Sequence, residues 1–175
     1  DVQIRVSAIG TRSESSGTAG RIADWFRQDF PDDAIEAHYG ETVWKEILAR
    51  HHPDVVFVAT PDHLHTQPIL DALQAGCDVI TEKPLCLTMV EADQIIQCAQ
   101  QAQRIVAVDM HKRFDPFVRE MLQNARQRYG TINRIRAVLE EPLAVSSEVF
   151  AWAEQSNPFA YVGCHYVDQL AFITG

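Results

Sequence analysis

The hydrophobic pattern changes period along the chain, and the changes mark the elements. Residues 2–9 are rich in β-branched side chains and end at Gly10, which predicts a strand. Ala19, Ile22, Ala23, Phe26 and Phe30 then recur at helical spacing until Pro31, and Val43, Trp44, Ile47 and Leu48 give a second amphipathic helix over 41–50. Val55 to Ala59 is a continuous apolar run, which predicts a parallel-sheet strand buried on both faces. A helix through Ile69, Leu70, Ala72 and Leu73 stops at Gly76, which suits the left-handed position after a helix end. Residues 78–81 read as a short strand, and Thr88-Met89-Val90-Glu91 as a capping box opening a helix to about Ala102. Residues 105–110 read as another buried strand.

The order β-α-α-β-α-β-α-β with short connections predicts an α/β fold, a doubly wound parallel sheet of Rossmann type. After Arg113 the rhythm changes: a long helix through Phe117, Val118, Met121, Leu122 and Ala125 to Gly130, a strand over 132–139, an aperiodic stretch over 140–157, and a last helix near 165–172 ending at Gly175. Two domains follow: 1–112 for a dinucleotide and 113–175 as the beginning of an α+β substrate domain. Gly17-Thr18-Ala19-Gly20 lacks the G-x-G-x-x-G spacing of a phosphate loop and reads as loop and helix start. The sheet is thus expected to be truncated at its N-terminus, with the first strand and its glycine-rich loop outside this chain, and the isolated chain is expected to bind dinucleotide weakly.

Composition narrows the function classes. The formal charge is −9, from 15 Lys and Arg against 24 Asp and Glu, which disfavours broad binding to a phosphate backbone and hence nucleic acid. No apolar run reaches the ~20 residues that span a bilayer, so no membrane partner is expected. Cys77, Cys86, Cys98 and Cys164 form no C-x-x-C pair and lie in apolar patterns; buried reduced thiols and a cytoplasmic location are expected, and no metal-ligating set is predicted.

Three motifs carry candidate chemistry. Ala59-Thr60-Pro61-Asp62-His63-Leu64-His65 follows the long apolar strand, and ligands of open α/β sheets bind beyond the carboxyl ends of strands. By itself this is also an ordinary strand-to-helix turn. Glu82-Lys83-Pro84 ends the next strand; an ammonium held there can donate to a ribose or stabilise an alkoxide, or else simply pair with Glu82 at the surface. In Gly163-Cys164-His165-Tyr166-Val167-Asp168, His165 and Asp168 share a helix face, so an imidazole that takes a hydroxyl proton could be oriented by the carboxylate.

Together these motifs resemble the glucose–fructose oxidoreductase, inositol dehydrogenase and rhizopine-catabolism (Gfo/Idh/MocA) family. The likeness runs from the apolar strand and A-T-P-x-x-x-H through A-x-x-A-G and E-K-P, then Arg113-Phe114-Asp115-Pro116 and Gly130-x-Ile132, to Gly163-x-His165-x-x-Asp168. The resemblance implies an NAD(P)-dependent dehydrogenase acting on a secondary alcohol of a sugar, cyclitol or related polyol, and a homo-oligomer. It implies that Thr60, Pro61 and His65 line the nicotinamide side and that Glu82 and Lys83 contact its ribose. Lys83 also reaches the reacting hydroxyl, Pro84 follows a cis peptide, His165 is the general acid/base, and Arg113 sits near the substrate with Asp168.

Two departures bear on that implication. Many family dehydrogenases carry an aspartate four residues before the histidine, where this chain has Tyr161. A phenol can share a proton but, near its usual pKa of about 10, does not supply a carboxylate's charge. Either Tyr161 takes part in proton transfer, or the chain is a non-catalytic dinucleotide sensor on the same fold. At the end of the first strand, Thr11-Arg12 offers no acidic partner for a ribose diol, which leans toward NADP or dual use of NADP and NAD; Arg12 is equally read as a solvated loop side chain. With an unperturbed His165 as base, oxidation is expected to fall as pH drops through about 6.5.

Overall fold

The computed structural model describes residues 4–131, 134, 136–142, 144–150 and 152–174. Five strands and six helices organise it: β1 (Ala8–Thr11), α1 (Thr18–Asp29), β2 (Glu36–Tyr39), α2 (Val43–His51), β3 (Val55–Val58), α3 (Thr66–Gln74), β4 (Asp78–Thr81), α4 (Met89–Ala102), β5 (Val106–Val108), α5 (Pro116–Tyr129) and α6 (Cys164–Thr174). Every strand pairing is parallel, in two pieces: β1–β2, and β3–β4–β5 in that order. Each crossover carries a helix, as parallel pairing requires. This is the α/β Rossmann-type arrangement that the alternation predicts.

The local signals act as their spacing implies. Thr88 and Glu91 form the reciprocal capping box, with Glu91 N donating to Thr88 Oγ1 at 3.2 Å and Thr88 N to Glu91 Oε2 at 3.0 Å. Gly76, at φ +85°, ends α3 with its own N–H on Leu73 O and that of Cys77 on Ala72 O, both at 3.0 Å. Asp115 caps α5, its Oδ1 accepting from Phe117 N at 2.9 Å. Gly10 lets α2 pack close: a Cβ there would lie 2.7 Å from Ile47 Cδ1 and 3.1 Å from Val43 Cγ1, so those side chains would have to shift.

The core is built from one face of β3–β5 and the helices against it. Leu48, Val58, Ile69, Ala72, Leu73, Cys77, Val79 and Ile95 form one buried cluster. Trp44 Nε1 ties α2 to α3 by donating to Asp71 Oδ2 at 2.7 Å.

Several expectations are corrected. The strand after residue 2 begins only at Ala8, and residues 1–3 lie outside the described residues. β2 escapes the pattern because Glu36-Ala37-His38-Tyr39 places a histidine at its buried position, which hides the period of two. β3 and β5 are not buried on both faces: Val55 and Phe57 are half exposed and Ala107 is exposed. An unbroken apolar run does not reveal which face is covered. The strand expected over 132–139 is not seen at 134 or 136–139, while Ile132, Asn133 and Ile135 lie outside the described residues. β-branched content favours a strand, but a strand needs a paired neighbour. Of the four free thiols only Cys77 is fully buried.

Candidate active site

The carboxyl ends of β3, β4 and β5 present three short segments on one edge of the sheet: the turn after Ala59, the Glu82-Lys83-Pro84 corner, and the turn over His111–Phe114. Parallel strands put all their carboxyl ends on the same side, so residues far apart in sequence meet there. Residues 152–174 close over this edge. Ser156 Oγ donates to the buried carboxylate of Asp62 at 2.5 Å, and Gln169 Nε2 donates to Lys112 O at 3.4 Å.

His65 is fully buried, with Nδ1 at 2.7 Å from Pro84 O and Nε2 at 2.7 Å from Thr60 O. The ring therefore fastens the first segment to the second and has no exposed atom left to line a nicotinamide; it positions its neighbours instead. Thr60 Oγ1 is buried without a protein partner, as is Thr11 Oγ1 at the end of β1. Ala59 is exposed and Pro61 half-buried in the same turn. The Lys83–Pro84 peptide is cis.

Lys83 is not a surface partner of Glu82. Its Nζ donates to Tyr161 O at 2.8 Å and lies 4.4 Å from the centroid of the Tyr161 ring. Tyr161, where a carboxylate stands in many relatives of the pattern, thus meets the ammonium with a carbonyl and a π face. Burial, with Glu141 and Asp62 nearby, pushes the phenol pKa up, so it remains a neutral proton donor.

His165 is the second residue of α6 and is 4% exposed. Gly163 just before that helix is required by packing, since a Cβ would lie 2.7 Å from Phe159 Cδ2. Burial, reinforced by the positive charges of Lys112, His111 and Lys83, lowers the His165 pKa to about 4. Its Nδ1 is buried with no protein partner, and its ring meets His111 edge to face at 4.8 Å. The carboxylate expected to orient it is engaged elsewhere. Asp168 accepts from Arg113 Nε at 2.6 Å and also from Arg113 Nη2, a bidentate pair that raises the guanidinium pKa. Asp168 therefore fixes Arg113 at the site's edge rather than the imidazole.

The wall beyond these residues is made mostly of side chains that no motif in the sequence marks. A cavity of about 440 Å³ is lined by Phe150, Trp152, Tyr161, Tyr166, Glu141 and Asn157, among others. Half of its lining residues come from the stretch that has no period, although the aromatic content of Phe150-Ala151-Trp152 was the available signal.

At the far end of the cofactor side, Arg12 Nε donates to Glu41 Oε1 at 3.3 Å, with both side chains largely exposed. Thr11 and Thr60 keep buried hydroxyls, and His165 a buried Nδ1, without a protein partner; they are hydrogen-bonding groups of the kind that riboses and a carboxamide satisfy, so these residues are compatible with a dinucleotide. Among the described residues no helix is long and apolar enough to cross a membrane.

Comparison with known proteins agrees with this geometry. D-glucoside 3-dehydrogenase of Escherichia coli is 28% identical over 153 residues, covering 81% of this chain and 43% of that protein. D-xylose 1-dehydrogenase (NADP(+)) of Hypocrea jecorina is 30% identical over 143 residues, covering 79% of this chain and 34% of that protein. The chain thus spans less than half the length of either relative. The crystal structure of scyllo-inositol dehydrogenase from Lactobacillus casei, with NAD(H) and scyllo-inositol bound, superposes with a TM-score of 0.73 at 22% identity, covering 96% of this chain and 48% of that one. The family model for the oxidoreductase family with an NAD-binding Rossmann fold matches residues 5–110, and this chain belongs to that Gfo/Idh/MocA family.

Proposed function

We propose that the protein containing this chain oxidises a secondary alcohol of a sugar, cyclitol or related polyol, or reduces the matching ketone, with NAD(P) as cofactor. The observation that carries the reading is a buried, neutral imidazole with an unpartnered nitrogen, beside an ammonium, at the carboxyl edge of a parallel sheet. Residues 1–112 serve the dinucleotide and 113–175 begin the substrate side. Thr11 and Arg12 face the adenosine ribose; Ala59, Thr60, Pro61, Glu82, Lys83 and Pro84 frame the nicotinamide end, with His65 holding that frame together. When bound, the nicotinamide supplies the hydride acceptor.

The side chains handle the proton. Lys83 turns its ammonium from Tyr161 O to the substrate oxygen and stabilises the negative charge that develops as the hydroxyl proton departs. His165, neutral at pH 7, takes that proton. Tyr161, a neutral phenol beside Lys83, shares in its movement. The aromatic walls offer apolar faces to the C–H surface of a sugar ring, while Glu141 and Asn157 offer hydroxyl partners. Arg113, locked by Asp168, borders the substrate.

The test is turnover of a sugar and cyclitol panel with NAD or NADP, in wild type and Tyr161→Phe. The reading expects activity on at least one member and a loss of tenfold or more in the variant. Dinucleotide binding without turnover on any member would favour a sensor on the same fold. Cofactor preference is a separate expectation: NADP over NAD, moved toward NAD by Thr11→Asp with Arg12→Ala. A wild type that prefers NAD by about tenfold, equivalent to about 1.4 kcal/mol, would reduce Arg12 to the surface partner of Glu41.

A further inference from the structure

A second cluster of chemistry-bearing side chains lies away from the strand ends just described, where β2 meets the last turn of α2. Glu36, His38 and His51 each offer one donor atom, and the three atoms all lie within 4.8 Å of one another. His38 Nε2 is 2.9 Å from His51 Nε2 and 3.6 Å from Glu36 Oε2, and His51 Nε2 is 3.9 Å from Glu36 Oε2. Ligands at tetrahedral zinc distances of about 2.0–2.2 Å are separated by roughly 3.3 Å. The three separations bracket that value, so a few tenths of an ångström of adjustment makes three edges of a tetrahedron.

The surroundings are those of a metal site too. The His38 side chain is only 5% exposed, and its Nδ1 is 3.1 Å from Glu46 Oε1. A carboxylate only accepts, so His38 carries its proton on Nδ1 and leaves Nε2 bare toward His51 and Glu36. A carboxylate behind a histidine is the usual outer support of a zinc ligand, fixing tautomer and ring orientation. His51 then donates its Nε2 proton to His38 Nε2 when no metal is present. On binding, that proton is carried to Nδ1 of the same ring through solvent, so His51 stays neutral and its Nε2 becomes a ligand. Meanwhile a guanidinium holds the acidic corner: Arg50 Nη2 is 2.9 Å from Glu36 Oε2. Arg50 is more than half exposed and can turn outward.

We propose that Glu36, His38 and His51 form a zinc site that staples β2 to the end of α2. Two imidazoles and one carboxylate suit zinc among the common divalent ions. The net charge of the three ligands with Zn²⁺ is +1, and Glu46 behind His38 offsets it. Three protein ligands leave a fourth position for water, and the exposed side of Glu36 gives the ion its entry path. The staple acts on β2 of the β1–β2 pair, so its effect is on the stability of that pair.

The experiment titrates the full chain with Zn²⁺ against a chromophoric chelator, then with Co²⁺ as a spectroscopic stand-in, both followed by thermal melts. Expected are saturable 1:1 binding, visible Co²⁺ bands of tetrahedral intensity without a thiolate charge-transfer band, and a melting temperature raised by Zn²⁺ and restored by chelator. His51→Ala and Glu36→Gln each weaken binding by about 100-fold or more, and Glu46→Ala by about 10–100-fold. Glu36 is nearly half exposed but the His51 side chain is only 11% exposed, so melts without metal show whether these variants are folded. Arg50→Gln, which removes the competing cation, binds as tightly as wild type or more tightly. Absence of 1:1 binding, a thiolate band, undiminished affinity in folded His51→Ala or Glu36→Gln, or weaker binding in Arg50→Gln would each overturn the proposal.

Discussion

Replacing His165 by alanine is expected to lower kcat for carbinol oxidation by about 10²–10⁴-fold, the usual worth of a positioned acid/base, with little change in dinucleotide affinity. Lys83→Ala is expected to fall in the same range, because it removes the charge that stabilises the developing alkoxide. The pH profile separates this from a packing defect. With the imidazole pKa lowered to about 4 by burial and its cationic neighbours, the histidine is already neutral across the neutral range. Oxidation controlled by His165 should therefore stay level down to about pH 5 and fall through pH 4, not through the 6.5 of a free imidazole. A limb at 6.5 that disappears in His165→Gln would show that the imidazole is less shielded than its burial indicates. A kcat loss under tenfold in His165→Ala would remove it from the chemistry.

The same shift has a stability consequence of defined sign. Between pH 6.5 and 4 the unfolded chain binds a proton at this residue and the folded chain does not. Stability therefore rises with pH across that window. The contribution is fully present above pH 6.5 and is lost as pH falls through 4. Melting temperature should drop over that range, and His165→Gln should flatten this part of the slope.

His65→Ala should be the more damaging change to the fold. The ring is fully buried and bridges Thr60 O to Pro84 O at 2.7 Å on each side. Alanine leaves a cavity the size of an imidazole and removes the ring that both carbonyls contact, including the N–H that one of them accepts. Cavity formation and the lost hydrogen bond together are expected to cost about 3 kcal/mol, read as a lowered urea midpoint with an unchanged slope. Activity should fall as well, since the Thr60 and Lys83 segments would no longer be held together. A loss of less than about 1 kcal/mol would mean that the turns keep their places without the bridge.

Much of this was legible locally. Thr88 and Glu91, Gly76, and Asp115 with Pro116 act within a turn of their own positions, so their spacing suffices to predict caps and helix ends. β4 is legible at its observed bounds because Asp78 to Thr81 is set off by Gly76 on one side and the Glu82-Lys83-Pro84 corner on the other. β2 was not legible, because its buried position is a histidine whose burial depends on Glu46 and His51 from the next helix. The open face at Phe57 is hidden for the converse reason: a buried strand and a half-covered one have the same apolar run.

Sequence alone determined the type of the periodic elements it marked from β1 to α5, the parallel α/β class, and the identity of the residues at the strand ends, because these follow from period, capping and motif order. Tertiary structure decided who partners whom. It assigned Asp168 to Arg113 instead of His165, gave Lys83 to Tyr161 instead of Glu82, and engaged both nitrogens of His65 with backbone. It also set the His165 pKa, since burial and the charges of Lys112, His111 and Lys83 converge on it from separate elements. Hydrogen bonds and fields act over a few ångströms in space, and separations of 55 or 78 residues along the chain carry no pattern from which those contacts could be read.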